Sequence, residues 1–257
     1  QQQVTLAPTG DVKITGNKAI DGAGMYIAGT TEKKASFALA DGSTGKVLFS
    51  GNEASGNGGG VCLAYGDMTI TNDSIAMYGN KAANGGGAAV VNGSFNISGG
   101  SIGMIEKAQN DAENGGGIYV SGGNVSVTAA AAIENNKATN GGGVYLTGGE
   151  FTLSGANVSI TQNEAANGGG VYLYKISPKL LEGSIRENTA TVNGGGIYID
   201  QQAVILAPEG TVQINENAAI DGAGIYIGGT TEKRASFAVN KGSNGTVQLC
   251  NNIATGN

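Results

Sequence analysis

The sequence lacks Trp and His, and holds three Pro, two Cys, 5% aromatic and 13% charged residues in 257 positions. That shortage of aromatic and charged side chains argues against an ordinary globule. Helix formers are thin, so long helices are disfavoured. No cluster of Lys and Arg stands out, and the net charge is −6, so binding to a nucleic-acid backbone has no support. No run approaches the roughly 20 apolar residues that span a bilayer as a helix, so this segment is expected to make no membrane contact. No leader peptide is visible and the first residue is Gln1, which predicts a segment cut from a longer polypeptide. The two cysteines, Cys62 and Cys250, are expected to lie too far apart to form a disulfide with each other. No convergent set of catalytic or metal-ligating residues appears, so no metal and no cofactor are expected.

What the sequence does have is glycine, 47 residues of it, and a phrase that returns along the chain. Asn163 to Leu173 reads NEAANGGGVYL, and close copies start at Asn17, Asn80, Asn110, Asn136, Asn188 and Asn217. A variant starts at Asn52, and a truncated copy at Asn252. The Asn or Asp before the glycines falls at Asp21, Asn57, Asn84, Asn114, Asn140, Asn167, Asn193 and Asp221, with spacings of 36, 27, 30, 26, 27, 26 and 28. A phrase recurring at this interval marks a solenoid, in which each repeat touches mainly its neighbours.

One unit, Gly141 to Asn167, contains the alternating runs Val144-Tyr145-Leu146, Phe151-Thr152-Leu153 and Val158-Ser159-Ile160. Period-two runs of β-branched and aromatic residues bounded by Gly, Asn and Ser are strand signals. The fold expected is all-β: a right-handed, single-stranded parallel β-helix of about 26–30 residues per rung with three short strands. Alternation points Val144 and Leu146 inward, with counterparts at Ile118/Val120, Val171/Leu173, Ile197/Ile199 and Ile225/Ile227. It points Tyr119, Tyr145, Tyr172, Tyr198 and Tyr226 outward in one column, with Tyr26 at the far end. The Gly triplet permits positive φ at a sharp corner. Asn17, Asn52, Asn80, Asn110, Asn136, Asn163, Asn188, Asn217 and Asn252 are expected to stack as a structural ladder of amides at a turn.

A longer period overlies the rungs. Residues 1–57 return as 201–257 without a gap, with 35 of 57 positions identical. Residues 1–200 therefore form a super-repeat that restarts at 201. Residues 1–257 read as one β-helix segment of a longer repetitive chain. The 36-residue rung carries the extra stretch Gly29 to Lys34, expected to bulge from one side, and its echo spans Gly229 to Arg234. Tyr174 to Lys179, with Pro178, predicts a loop or broken strand.

The string I-x-x-N-x-A-x-x-G-G-G-[VI]-Y resembles the repeat of chlamydial polymorphic membrane proteins, which pair F-x-x-N with G-G-A-I. This chain mostly has Ile or Val for that Phe, and GGG[VI] for GGA[IL]. The resemblance implies a right-handed β-helical, autotransporter-like passenger, displayed at the cell surface and used in adhesion. It implies no catalytic residues.

The Tyr column has two readings. It is a strip on which sugar rings or a partner surface stack, or a ladder that stabilises neighbouring rungs; the second is favoured. The Thr30 to Lys34 loop is either a binding epitope or a solvated insertion. Cys62 takes a place in the Tyr column and is expected to face out. Glu106, Asp111 and Glu113 are the nearest thing to a carboxylate cluster, with Asp111 and Glu113 placed in a solvated turn. The expectation is a non-enzymatic structural rod of a bacterial cell-surface adhesin or extracellular fibre. Its partners would be other copies, neighbouring segments of the same fibre, or a host surface protein or glycan. The alternative is a polysaccharide-degrading β-helix enzyme: a lyase, a glycosidase or a phage tailspike.

Overall fold

A computed structural model describes residues 2–40, 42–71, 73–104, 106–230 and 232–256; among these residues there are 33 strands and no helix. The strands form three long sheets, of 13, nine and nine members, and a short two-stranded one. All pairing is parallel and joins each residue to its equivalent one rung away. Ile118, Val144, Val171, Ile197 and Ile225 thus stand in a single file. The chain is a parallel β-solenoid with three faces.

The faces are partitioned differently from the expectation. Val144–Leu146 and Glu150–Ser154 belong to the same 13-stranded sheet. Two rungs fuse these runs into single ten-residue strands, Val61–Ile70 and Ala88–Ile97. The second sheet takes Ser159–Thr161 and its equivalents. The third is made by the N-x-A phrase itself, as in Asn136–Asn140. That phrase was expected to be a turn. Its inward positions are Asn and Ala, so it lacks the bulky apolar alternation that marks a strand. Neighbouring rungs supply both the ladder bonds and the pairing that hold it extended.

Two kinds of corner join the sheets. Between the third and first sheets lies the Gly triplet. Gly141 takes φ +64°. A Cβ on Gly143 would sit 2.7 Å from the Gly170 carbonyl oxygen, so the rungs close only if that position is bare. Between the second and third sheets, the residue before eight of the nine ladder Asn turns left-handed, Gln109 before Asn110 being the exception. It is Gly16, Gly51 and Gly79 in three rungs, at φ +63° to +67°. In five others it is Asn135, Gln162, Glu187, Glu216 and Asn251, at φ +52° to +58°.

The inward columns fill one continuous core along the rod. Phe49, Phe95 and Phe151 are fully buried within it. Burying an aliphatic or Phe side chain of this size stabilises by roughly 1.5–3 kcal/mol. Alternation places the inward residues correctly through most of the rod, with Ile118, Val120, Val144 and Leu146 all at 0% exposure. At the last described rung Ile227 is 48% exposed, with no further rung among the described residues to pack on it. Gly29 to Lys34 forms the expected surface bulge, closed by Thr30: its amide donates to the Lys33 carbonyl and its hydroxyl accepts from the Lys33 amide. Thr230 and Lys233 repeat both bonds, while Thr231 lies outside the described residues. The predicted break at Pro178 is present: the first-sheet strand stops at Tyr174 and resumes at Lys179–Leu180.

Candidate functional site

Because every rung places equivalent residues at equal height, side chains act here as columns. Four columns define the surface and corners of the rod.

The first is the Asn ladder. Asn52, Asn80, Asn110, Asn136, Asn163, Asn188 and Asn217 are all at 0% exposure. Asn163 shows the pattern. Its Oδ1 accepts from the Asn136 amide at 3.0 Å and from Asn136 Nδ2 at 2.8 Å. Its Nδ2 donates to Asn188 Oδ1 and to the Ile133 carbonyl, both at 3.0 Å. Every donor and acceptor of the side chain is used, which a buried amide requires. Asn17 and Asn252 complete the column at its two ends.

The second column was not anticipated as a ladder. The residues before the Gly corner also bond rung to rung, from Asn193 through Asn167, Asn140, Asn114 and Asn84 to Asn57. Asn57 then donates to the Asp21 carboxylate at 3.0 Å. These amides donate towards the N-terminal rung, whereas the buried ladder donates towards the C-terminal one. The sequence held the signal, since every rung has Asn or Asp at this position.

The third column is aromatic. Tyr119, Tyr145, Tyr172, Tyr198 and Tyr226 stack with ring centroids 4.6–5.7 Å apart and planes within 24°. The inner rings are half-buried by their neighbours. Desolvation pushes the Tyr145 hydroxyl up to about 12 and raises Tyr198. Tyr172 is raised further, by burial first and then by the Asp200 carboxylate, to which its hydroxyl donates at 3.1 Å. The face is flat, apolar at the rings and hydroxylated at its edge. Cys62 occupies this column, in register with Tyr26 and Ala89, but it does not face solvent as expected. It is 1% exposed, being too short to reach past its neighbours. Burial, with the nearby Asp21 carboxylate, pushes its thiol up to about 12. Cys250 is exposed, and both thiols are free.

The fourth column lies on the third sheet. Strand register puts Lys18, Glu53, Lys81, Asp111, Lys137 and Glu164 in one line, with charge alternating at every rung. All six are exposed. Asp111 therefore stands on a strand, not in a turn, and shares its outward face with Glu113. Glu106 sits apart, between the strands that end at Ile102 and begin at Asn110. All three stand in solvent.

One carboxyl is desolvated, and sequence reasoning missed it. Glu134 on the second sheet is raised by burial. It lines a hollow of about 400 Å³ with Tyr78, Met104, Lys46 and Asp73. Asp73, on the same hollow, accepts from the Gly100 amide at 2.9 Å.

Comparison with known families gives one result. Residues 46–64 and 183–200 match the model of the Chlamydia polymorphic membrane protein repeat. Both segments run from a second-sheet strand, past a ladder Asn and the Gly corner, into the first sheet. The first includes Phe49 three residues before Asn52, and so carries the family's F-x-x-N. No curated protein and no solved structure matches the chain.

Proposed function

We propose that this chain is a non-enzymatic structural rod, the stalk of a bacterial cell-surface adhesin or an extracellular fibre built from tandem β-helical super-repeats. The observation that carries the reading is the exact return of register after 200 residues. Val4 pairs with Phe37, and Val204 with Phe237. Val12 pairs with Val47, and Val212 with Val247. The restart continues the preceding rung in all three long sheets, with Tyr226 stacked 4.9 Å from Tyr198, while Ala203–Leu206 pairs only with Ser236–Val239. Such a unit extends in one direction by repetition, advancing roughly 34 Å per seven rungs at about 4.8 Å each. The matched repeat is one of membrane proteins by name, which supports display at the cell surface. The Tyr column and the charged face are the surfaces that would meet host proteins, glycans or other copies.

Electron microscopy of the native full-length protein tests the rod, which predicts thin, straight particles whose length scales with the number of super-repeats. Incubation with a panel of acidic polysaccharides tests the absence of activity. Reproducible chain cleavage would overturn the reading.

A further inference from the structure

The alternating column on the third sheet reads + − + − + − from Lys18 to Glu164. Within the rod, Lys18 and Glu53 make an ion pair at 2.8 Å. The four charges that follow, Lys81, Asp111, Lys137 and Glu164, make no ion pair within 4.0 Å among the described residues. The face around them is smooth. The neighbouring outward positions on the same strands include Ala83, Thr139 and Ala166, while Ala112, Ala138 and Ala165 lie flush beneath.

We propose that this face pairs with the same face of a second copy, the two rods running antiparallel. The argument is one of symmetry. An even, alternating column read backwards is its own complement. A two-fold axis lying along the strands, midway between the rungs of Lys81 and Asp111, sets Lys81 opposite Asp111, Glu53 opposite Lys137, and Lys18 opposite Glu164. All six charges then meet an opposite charge. The remaining acid on this face, Glu113, meets Ala83. A two-fold along the rod axis would set each charge against itself, so parallel in-register pairing is repelled. The charges thus select orientation as well as partner, the usual role of electrostatics at an interface. An isologous contact closes at two copies. The footprint is roughly 25 Å by 13 Å, about 325 Å² on each rod, below the size of stable specific interfaces, so the complex is weak and reversible. On the reading of a surface rod, antiparallel contact joins rods that arrive from opposite directions.

The test uses the full chain with Cys250→Ser, to remove the exposed thiol. Sedimentation equilibrium in 50 mM salt is expected to give a monomer–dimer equilibrium, weakened about tenfold or more in 500 mM salt, as screening requires. Lys18→Glu/Lys81→Glu/Lys137→Glu makes the column all acidic and abolishes self-association. Glu53→Lys/Asp111→Lys/Glu164→Lys does the same with the opposite sign, and mixing the two variants restores a dimer. Inverting all six charges keeps the alternation along the rod, so that variant folds and dimerises; it guards against a loss caused by misfolding. For orientation, Lys18→Cys/Glu164→Cys forms a disulfide-linked dimer on mild oxidation and Lys18→Cys alone does not. A monomer at every salt concentration overturns the proposal, as does equal cross-linking by Lys18→Cys alone. Neither result touches the reading of the chain as a rod.

Discussion

The buried Asn ladder gives the sharpest test of what holds the rungs together. Asn163→Ala removes an acceptor that serves the Asn136 amide and Asn136 Nδ2. It also removes the donor that satisfies the Ile133 carbonyl. Asn188 Oδ1 keeps one partner, the Asn163 amide. Three buried hydrogen-bonding sites are thus left open: the Asn136 amide, one hydrogen of Asn136 Nδ2 (the other stays on the Ile102 carbonyl) and one lone pair of the Ile133 carbonyl, each at about 1–3 kcal/mol, with some return from water entering the space. The expected loss is about 3–6 kcal/mol, large for a single substitution. Urea unfolding followed by circular dichroism measures it, with Asn124→Ala on an exposed position as the control, expected within about 0.5 kcal/mol of the parent. Asn163→Asp separates hydrogen bonding from shape. The carboxylate still accepts from Asn136, but it faces the Asn188 and Ile133 oxygens with no proton to give them. Its folded pKa is therefore raised, so its deficit is smallest below the unfolded value of about 3.9 and grows as pH rises through the folded value. If Asn163→Ala costs no more than Asn124→Ala, the ladder is ornamental and the rungs rest on the apolar core alone.

Three further outcomes follow from the same geometry. The stacked tyrosines are held neutral, with Tyr145 at about 12, Tyr172 raised beyond it and Tyr198 also raised; stability is complete below the unfolded value of about 10 and falls as pH rises from there towards 12, read as a falling urea midpoint, with Tyr145→Leu/Tyr172→Leu flattening that slope. Under native conditions a thiol reagent should label Cys250 and leave Cys62 unmodified until the chain unfolds, as mass spectrometry of the labelled peptides would report. Ala129 is exposed and holds φ +58°, so Ala129→Gly, ordinarily a destabilising change, should raise stability by about 0.5–1 kcal/mol in the same urea assay.

Much of this rod is legible in its sequence because the repeat supplies many readings of the same rung. The Asn163 phrase fixes the period, and period-two alternation fixes which of Val144, Tyr145 and Leu146 face the core. Stacking at equal height then makes the Tyr and Asn columns follow. What was not legible has physical causes. The third sheet hides because its strands bury Asn and Ala, and because their extended form is set by neighbours instead of propensity. The left-handed corner hides at Gln162 and Glu187, where no Gly marks it. Cys62 was placed on the correct side of its strand, but burial depends on the reach of Tyr26 beside it, which alternation does not report. The charge column escapes notice because rung lengths vary from 26 to 36 residues, so Lys18 and Glu164 align only once strand register is known.

The two amide columns also explain how the super-repeat is punctuated. Amides bonded head to tail polarise one another and align their dipoles. The buried column points its N–H groups towards the C-terminal rungs, and the corner column points its own the other way, so the two dipoles oppose each other. The corner column has an unpaired donor at its N-terminal end, which carries partial positive charge, as a helix N-terminus does. Asp21 stands there. It accepts from the Asn57 amide at 2.6 Å and from Asn57 Nδ2 at 3.0 Å, charge-assisted bonds that close the stack. At the next equivalent position stands Asp221, which has no side-chain amide to pass a hydrogen bond on to Asn193. The column therefore stops at Asn193, as it starts at Asp21. Six amides and one carboxylate make one closed set, and its length is that of the 200-residue repeat. The unit of this rod is thus written twice, once in the sequence that returns at residue 201 and once in the hydrogen bonds that end one rung earlier.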